Sequence, residues 1–239
     1  MPTRSLSRRG FLKTAGLTLG GSLVACSGLT ALATSSPSIP MPESTFGGQN
    51  KAMKILIAYA SKCGSTAEVA TAMGRTLAQY GASVDVLPLK KVTDLQDYQA
   101  VFIGSPIRAA KWLREAADFV NVNRTVLQSV PVAFFTVCMT LVEDTPANRS
   151  RAAGFLDPVR TALAPAAEGY FAGMVDPKRL SFLDNSMLKI KNTPVGDFRD
   201  WNKIRNWAQS TYTQILSSSI SSLYEATTIS PSDVSNVIY

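Results

Sequence analysis

Two hydrophobic periods alternate along the middle of the chain. Lys54-Ile55-Leu56-Ile57-Ala58-Tyr59 is a short apolar run, the pattern of a strand covered on both faces. From Thr66 to Tyr80 the period becomes helical, with Val69, Ala70, Met73, Leu77 and Ala78 on one side and Gly81 closing the helix. Ser83 to Leu87 predicts a second strand, and Ala100-Val101-Phe102-Ile103 a third that ends in Gly104-Ser105-Pro106. Trp112 to Val120 predicts a helix with Trp112, Ala116, Phe119 and Val120 on its apolar side. A fourth strand is expected over Val132 to Val137, then a helix over Pro146 to Leu163 that breaks or restarts at Pro158. Gly169 to Val175 predicts a fifth strand, and Trp201 to Leu216 a last helix with Asp200 as N-cap.

Apolar strands alternating with helices specify an α/β protein with an open parallel sheet, covered on both faces and joined by right-handed crossovers. Such a sheet binds its ligand beyond the carboxyl ends of its strands. The loops after the first, third and fourth strands are therefore the place to look. On this reading residues 51–216 form the domain. The Ser/Pro/Gly-rich residues 27–50 form a flexible tether, and the Ser/Thr-rich residues 217–239 a loose polar tail.

Composition narrows the chemistry. The 239 residues include no histidine, which excludes Ser-His-Asp and Cys-His nucleophiles, imidazole acid/base catalysis and His-ligated zinc. Three cysteines are too few for a metal cluster or a disulfide scaffold. The net charge of +7 would suggest nucleic acid, but four of the basic residues lie within residues 1–26, which hold no acid. Without that segment 20 basic and 17 acidic residues remain, a net charge of +3, and no nucleic-acid partner is expected.

Ser7-Arg8-Arg9-Gly10-Phe11-Leu12-Lys13 resembles a twin-arginine export signal, followed by a mildly apolar run too short for a membrane span. Leu23-Val24-Ala25-Cys26 resembles a bacterial lipobox, in which Cys26 is lipidated, whereas Ala31-Leu32-Ala33 fits ordinary signal cleavage. An uncleaved membrane-anchoring helix is the alternative. The expectation is a protein outside the cytoplasmic membrane, held there by a lipid anchor or signal segment. Twin-arginine export also implies a cofactor loaded before crossing.

The first loop reads Ser61-Lys62-Cys63-Gly64-Ser65-Thr66 and opens directly into a helix. Hydroxyls, a glycine and a helix N-terminus suit a phosphate monoester, and Lys62 adds positive charge. Neither G-x-G-x-x-G nor G-x-x-x-x-G-K-[ST] is present, and nothing acidic lies between Glu43 and Glu68 to make a phosphoacceptor site. The ligand-free alternative is a helix cap built from Thr66 and Glu68.

This loop resembles that of the flavodoxin family, with Cys63 where a hydroxyl residue usually stands. Gly104 to Trp112, Pro131 to Val137 and Pro194 to Trp201 resemble the branch that contains menaquinone-dependent protoporphyrinogen dehydrogenases, over residues 53–214. The resemblance implies a three-layer doubly wound flavodoxin-like fold, with a five-stranded parallel sheet of order 2-1-3-4-5, and FMN as cofactor. It implies that Ser61, Lys62, Cys63, Gly64, Ser65 and Thr66 hold the phosphate. Ser105, Pro106, Ile107, Arg108 and Ala109, with Val137, Cys138, Met139, Thr140 and Leu141, would wrap the ring and ribityl chain. Trp112 would either stack on the ring or be a buried helix aromatic. Arg108, Lys111 and Arg114 would favour two-electron chemistry if they face the flavin; otherwise they are a solvated helix face. Cys63 and Cys138 are expected not to join in a disulfide and to act as small buried hydrophobes. The insertion Asp176 to Arg199 mixes basic and large apolar residues, as would suit a membrane face or a simple cover.

The function expected is that of an exported FMN-binding redox protein, either an electron carrier or a quinone-linked oxidoreductase. Its partner would be a redox protein or a quinone. A protoporphyrinogen IX dehydrogenase-type enzyme and a cofactor-free binding module are the alternatives.

Overall fold

The computed structural model describes residues 37, 39–48, 53–190 and 192–227. The twin-arginine motif, Cys26 and Ala31-Leu32-Ala33 lie outside the described residues, as does the end of the chain after residue 227. Two units emerge among these residues: residues 39–175 with 196–227, and Asp176–Val195.

The larger unit is built on one sheet. Its parallel strands are β2 (Lys54–Tyr59), β3 (Ser83–Pro88), β4 (Ala100–Arg108), β6 (Val132–Val137) and β7 (Ala167–Phe171), in the order β3-β2-β4-β6-β7. This is the expected 2-1-3-4-5 arrangement. Alternate residues of each strand serve opposite faces. On one face Ile55, Ile57, Val84, Val86, Phe102 and Phe135 pack against α1 (Ser65–Gln79) and α7 (Trp201–Thr227). On the other, Leu56, Ala58, Val101, Ile103 and Phe134 meet α2 (Arg114–Val122), α3 (Arg124–Leu127) and α5 (Asp157–Arg160). The result is three layers with the strands buried on both sides.

Several elements depart from the sequence pattern. Part of the presumed tether is a strand: β1 (Ser44–Phe46) pairs antiparallel with β3. Phe46 lies against Gly74 of α1, where a Cβ would collide with Val86 and crowd the Phe46 ring, and the Tyr59 hydroxyl donates to the Pro42 carbonyl at 2.6 Å. Strand pairing, the Tyr59 hydrogen bond and the packing of Phe46 and Met41 on the core together place a segment whose composition reads as linker. Strand β4 runs five residues beyond Ile103 and returns as β5 (Lys111–Trp112), so Trp112 belongs to a hairpin and the helix begins only at Arg114. The expected fifth strand is two: β7 stops at Phe171, while β8 (Met174–Val175) pairs with β9 (Gly196–Asp197) in a separate two-stranded sheet. The Pro146 helix divides as expected, into α4 (Pro146–Gly154) and α5 with Pro158 in its first turn. The first part of the polar tail is helical, since α7 continues to Thr227. Ser217, Ser218, Ser219 and Ser221 turn their hydroxyls back onto carbonyls four residues earlier, which satisfies them without leaving the helix.

In the smaller unit Asp176 caps a single turn at Pro177–Arg179, and the Ser181 hydroxyl accepts from the Asp184 N–H to start α6 (Phe182–Ile190). Asn192, at φ 47°, closes that helix. Phe182, Leu183, Met187 and Ile190 are exposed along it. Among the described residues no helix is long and apolar enough to cross a membrane.

The β4–β5 hairpin turns on Ala109 and Ala110, at φ 51° and 60°, a left-handed pair that hairpins usually fill with Asn-Gly. Each alanine there costs about 1 kcal/mol. Replacing Ala109→Asn together with Ala110→Gly should therefore stabilise the protein by about 1–2 kcal/mol and raise Tm by roughly 3–6 °C in calorimetry. An unchanged or lower Tm would show that the turn carries no such strain.

Candidate functional site

Three loops converge at the carboxyl edge of the sheet. The N–H of Ala60, just past β2, donates to the Gly104 carbonyl at 2.8 Å, and the parallel register places Pro106 beside Val137. The segments after β2, β4 and β6 are thus neighbours because their strands are.

The first loop is shaped around Gly64. At φ 83° it adopts the left-handed conformation and stands as N-cap of α1, with no side chain to accept from the first-turn N–H groups. A 15-residue helix therefore presents bare donors and the positive end of its dipole at the sheet edge. The Ser61 hydroxyl accepts from the Gly64 N–H at 3.0 Å, which draws the loop into a tight turn. The Ser65 hydroxyl accepts from the Met174 N–H at 3.1 Å and keeps its own proton available to an anion. Thr66 is buried, Lys62 is exposed and Cys63 is half-buried. The cap expected from Thr66 does not form: the helix begins one residue earlier, and the glycine leaves the site open.

The second loop differs from expectation. Residues Ser105 to Arg108 continue strand β4. Ser105 is fully buried: its hydroxyl donates to the Pro106 carbonyl and accepts from the Leu113 N–H, both at 3.0 Å. Ser105 therefore shapes the hairpin from inside. Pro106 and Ile107 are half-buried, and Arg108 and Ala109 are exposed. Trp112 is buried edge-on against Phe134, and its indole N–H donates to the Thr136 hydroxyl at 2.9 Å. It fastens the hairpin to β6, which favours the buried reading over ring stacking. Of the cations, Arg114 pairs with Asp118 on an exposed helix face. Arg108 and Lys111 lie opposite each other at the hairpin tip.

The third loop is a single turn, Met139–Val142, after Cys138. Val137, Cys138 and Leu141 are buried, while Met139 and Thr140 are half-buried. Burial pushes the Cys138 thiol above its ordinary pKa, so it stays protonated and inert at neutral pH. No disulfide joins Cys63 to Cys138. Gly173 sits at the junction of the loops: a Cβ there would lie 3.0 Å from Val137, 3.7 Å from the Ser65 hydroxyl and 3.9 Å from the Met139 sulfur.

A family model described as a flavodoxin domain matches residues 56–200. The chain belongs to the flavodoxin family. Protoporphyrinogen IX dehydrogenase (quinone) of Escherichia coli strain K12 is 27% identical over 171 residues, 66% of this chain and 93% of that protein. The protein of the same name from Leishmania major is 25% identical over 170 residues, 65% of this chain and 73% of its own. Among solved structures, the flavodoxin of Streptococcus pneumoniae TIGR4 aligns at a TM-score of 0.44 and 15% identity, over 68% of this chain and 99% of that one. A flavoprotein in complex with FMN from Lactobacillus acidophilus aligns at 0.39 and 14%, over 50% of this chain and 93% of that one.

Flavodoxin-like homologues bind FMN, and the donors at the start of α1 fit that group. The glycine-capped start of α1 suits a phosphate, and the segments Pro106–Ala109 and Val137–Leu141 leave neighbouring strands at the same edge of the sheet. In this flavodoxin-family chain a further residue converges on the first loop. The Arg199 guanidinium, 4% exposed, grips both Asp197 oxygens at 2.7 and 2.6 Å, reaches Glu68 in the first turn of α1 at 2.6 Å and stacks over Trp201 at 4.4 Å. Burial works against its charge, but the carboxylates hold its pKa above the ordinary value. Residues 194–201 stand out in the sequence only as part of a resemblance. No local pattern connects Arg199 with Glu68, 131 positions away.

Proposed function

We propose that this protein is an exported FMN-binding redox protein that exchanges electrons with a quinone or a redox partner protein. The observation that carries the reading is the start of α1: a left-handed glycine cap with no side-chain partner for the first-turn N–H groups, bordered by the two other loops. FMN, once bound, would supply one- or two-electron transfer at its ring. The chain's own residues would bind the phosphate and orient the ring, and no imidazole is available for acid/base work. Arg108 and Lys111 at the hairpin tip support two-electron chemistry, since positive charge near the ring favours its reduced anion. The relatives named as quinone-linked protoporphyrinogen IX dehydrogenases support a quinone acceptor. Their porphyrin substrate fits less well with export, which rests on the Arg8-Arg9 motif and Cys26.

A membrane surface is part of the same reading. Phe182 and Ile190 are 70% and 76% exposed, with Leu183 and Met187 exposed beside them. Residues 176–195 hold Lys178, Arg179, Lys189 and Lys191 against two acids. Apolar side chains flanked by lysines suit the interface of an anionic bilayer. A nine-residue helix binds weakly alone and would act as a second contact beside a lipid anchor at Cys26.

The purified protein should be yellow and take up two electrons per flavin in one step during reductive titration. Arg108→Ala should lower the midpoint potential by on the order of tens of millivolts. A colourless protein that takes up no FMN would refute the reading, and an unmoved potential would remove the argument for two-electron chemistry. In flotation of the unlipidated chain with phosphatidylglycerol vesicles, Phe182→Ser with Ile190→Ser should lose most of the weakly bound fraction. Equal flotation of both forms would exclude the helix as a membrane contact.

A further inference from the structure

We infer that Arg199 is a positioning residue for the flavin phosphate, acting by holding the Glu68 carboxylate away from the start of α1. The inference rests on the FMN reading above. Glu68 lies in the first turn of the helix, four residues beyond the Gly64 cap. A carboxylate there competes with a phosphate for the same positive helix end and repels it. Arg199 meets that carboxylate at 2.6 Å while its other donors are fixed on Asp197, and the Trp201 ring covers it. The cation is thus oriented before any ligand arrives. Its segment is also fastened to the loop: β9 pairs with β8, and the Met174 N–H donates to Ser65, the first residue of α1. Asp197 and Arg199 on one side, and Ser65 and Glu68 on the other, therefore form a single clamp across the base of the phosphate site.

This arrangement has a signature that general stabilisation lacks. It acts through the phosphate charge, so it should discriminate FMN from riboflavin, which has the same ring and ribityl chain without the phosphate. Dissociation constants for both flavins, measured by fluorescence quenching on the full chain, test it. Arg199→Gln should raise the FMN constant roughly tenfold and leave riboflavin within about twofold. Adding Glu68→Gln to that variant should restore most of the loss, because the carboxylate within the first turn of α1 is gone and only Asp197, outside the helix, remains unpaired by Arg199. Glu68→Gln alone, which keeps Arg199 on Asp197 and Trp201, should tighten FMN about threefold with riboflavin unchanged, and it supplies the test should Arg199→Gln fail to fold. Equal weakening of both flavins, no recovery in the double variant, or FMN binding in Glu68→Gln no tighter than in the parent would overturn the inference. A parent protein that binds neither flavin would instead overturn the FMN reading beneath it.

Discussion

A helix that starts at Ser65 without a side-chain cap must leave its first N–H groups to something outside the protein, and the rest of the site is arranged around that constraint. Gly64 makes it possible by taking a left-handed conformation that costs any other residue about 1 kcal/mol or more. Strand β2 delivers the loop at the carboxyl edge, and the hydrogen bond from Ala60 to Gly104 sets its height against β4. The Ser61 and Ser65 hydroxyls tie the loop inward, to Gly64 and to Met174, so its shape exists before a ligand binds. Preorganisation of this kind is what turns a helix end into a binding site.

The flanking loops are fixed from below rather than by contacts in the site. Trp112 anchors the hairpin through Thr136, and Ser105 does so through Leu113, both inside the core. On the far side, Glu168 accepts both Arg160 nitrogens at 2.6 and 2.7 Å and also bonds to the Tyr170 hydroxyl, and Tyr170 packs beside Cys138 and Leu141. Burial pushes the Glu168 carboxyl up, but the hydrogen bonds from Arg160 and Tyr170 prevail and hold its pKa below the ordinary value. The polar network therefore supports β7 at the point where the third loop leaves the sheet, and it weakens only in acid, as the carboxylate is protonated.

The parallel core was legible because strands buried on both faces must be largely apolar: Ile55 to Tyr59 is so without interruption, and Val132 to Val137 is broken only by Thr136, which Trp112 satisfies. The first loop stood out as a candidate because Ser61 to Thr66 are contiguous in the sequence. What escaped depends on tertiary context. Phe46, packed on Gly74, helps draw a strand from linker-like sequence. The hairpin at Ala109-Ala110 carries no turn residue to announce it, so Trp112 reads as helical. The serine-rich end of α7 holds its helix through backbone-directed hydroxyls that lower propensity on average. The Arg199 clamp joins residues that only the fold brings together.

In the proposed function the base of α1 holds the phosphate of FMN. A crystal structure of the protein grown with FMN tests it most directly. The phosphate should lie within about 3 Å of the N–H groups that follow Gly64, with the ring between Pro106–Ala109 and Val137–Leu141. Flavin bound elsewhere, or crystals in which that helix start holds none at saturating FMN, would contradict it.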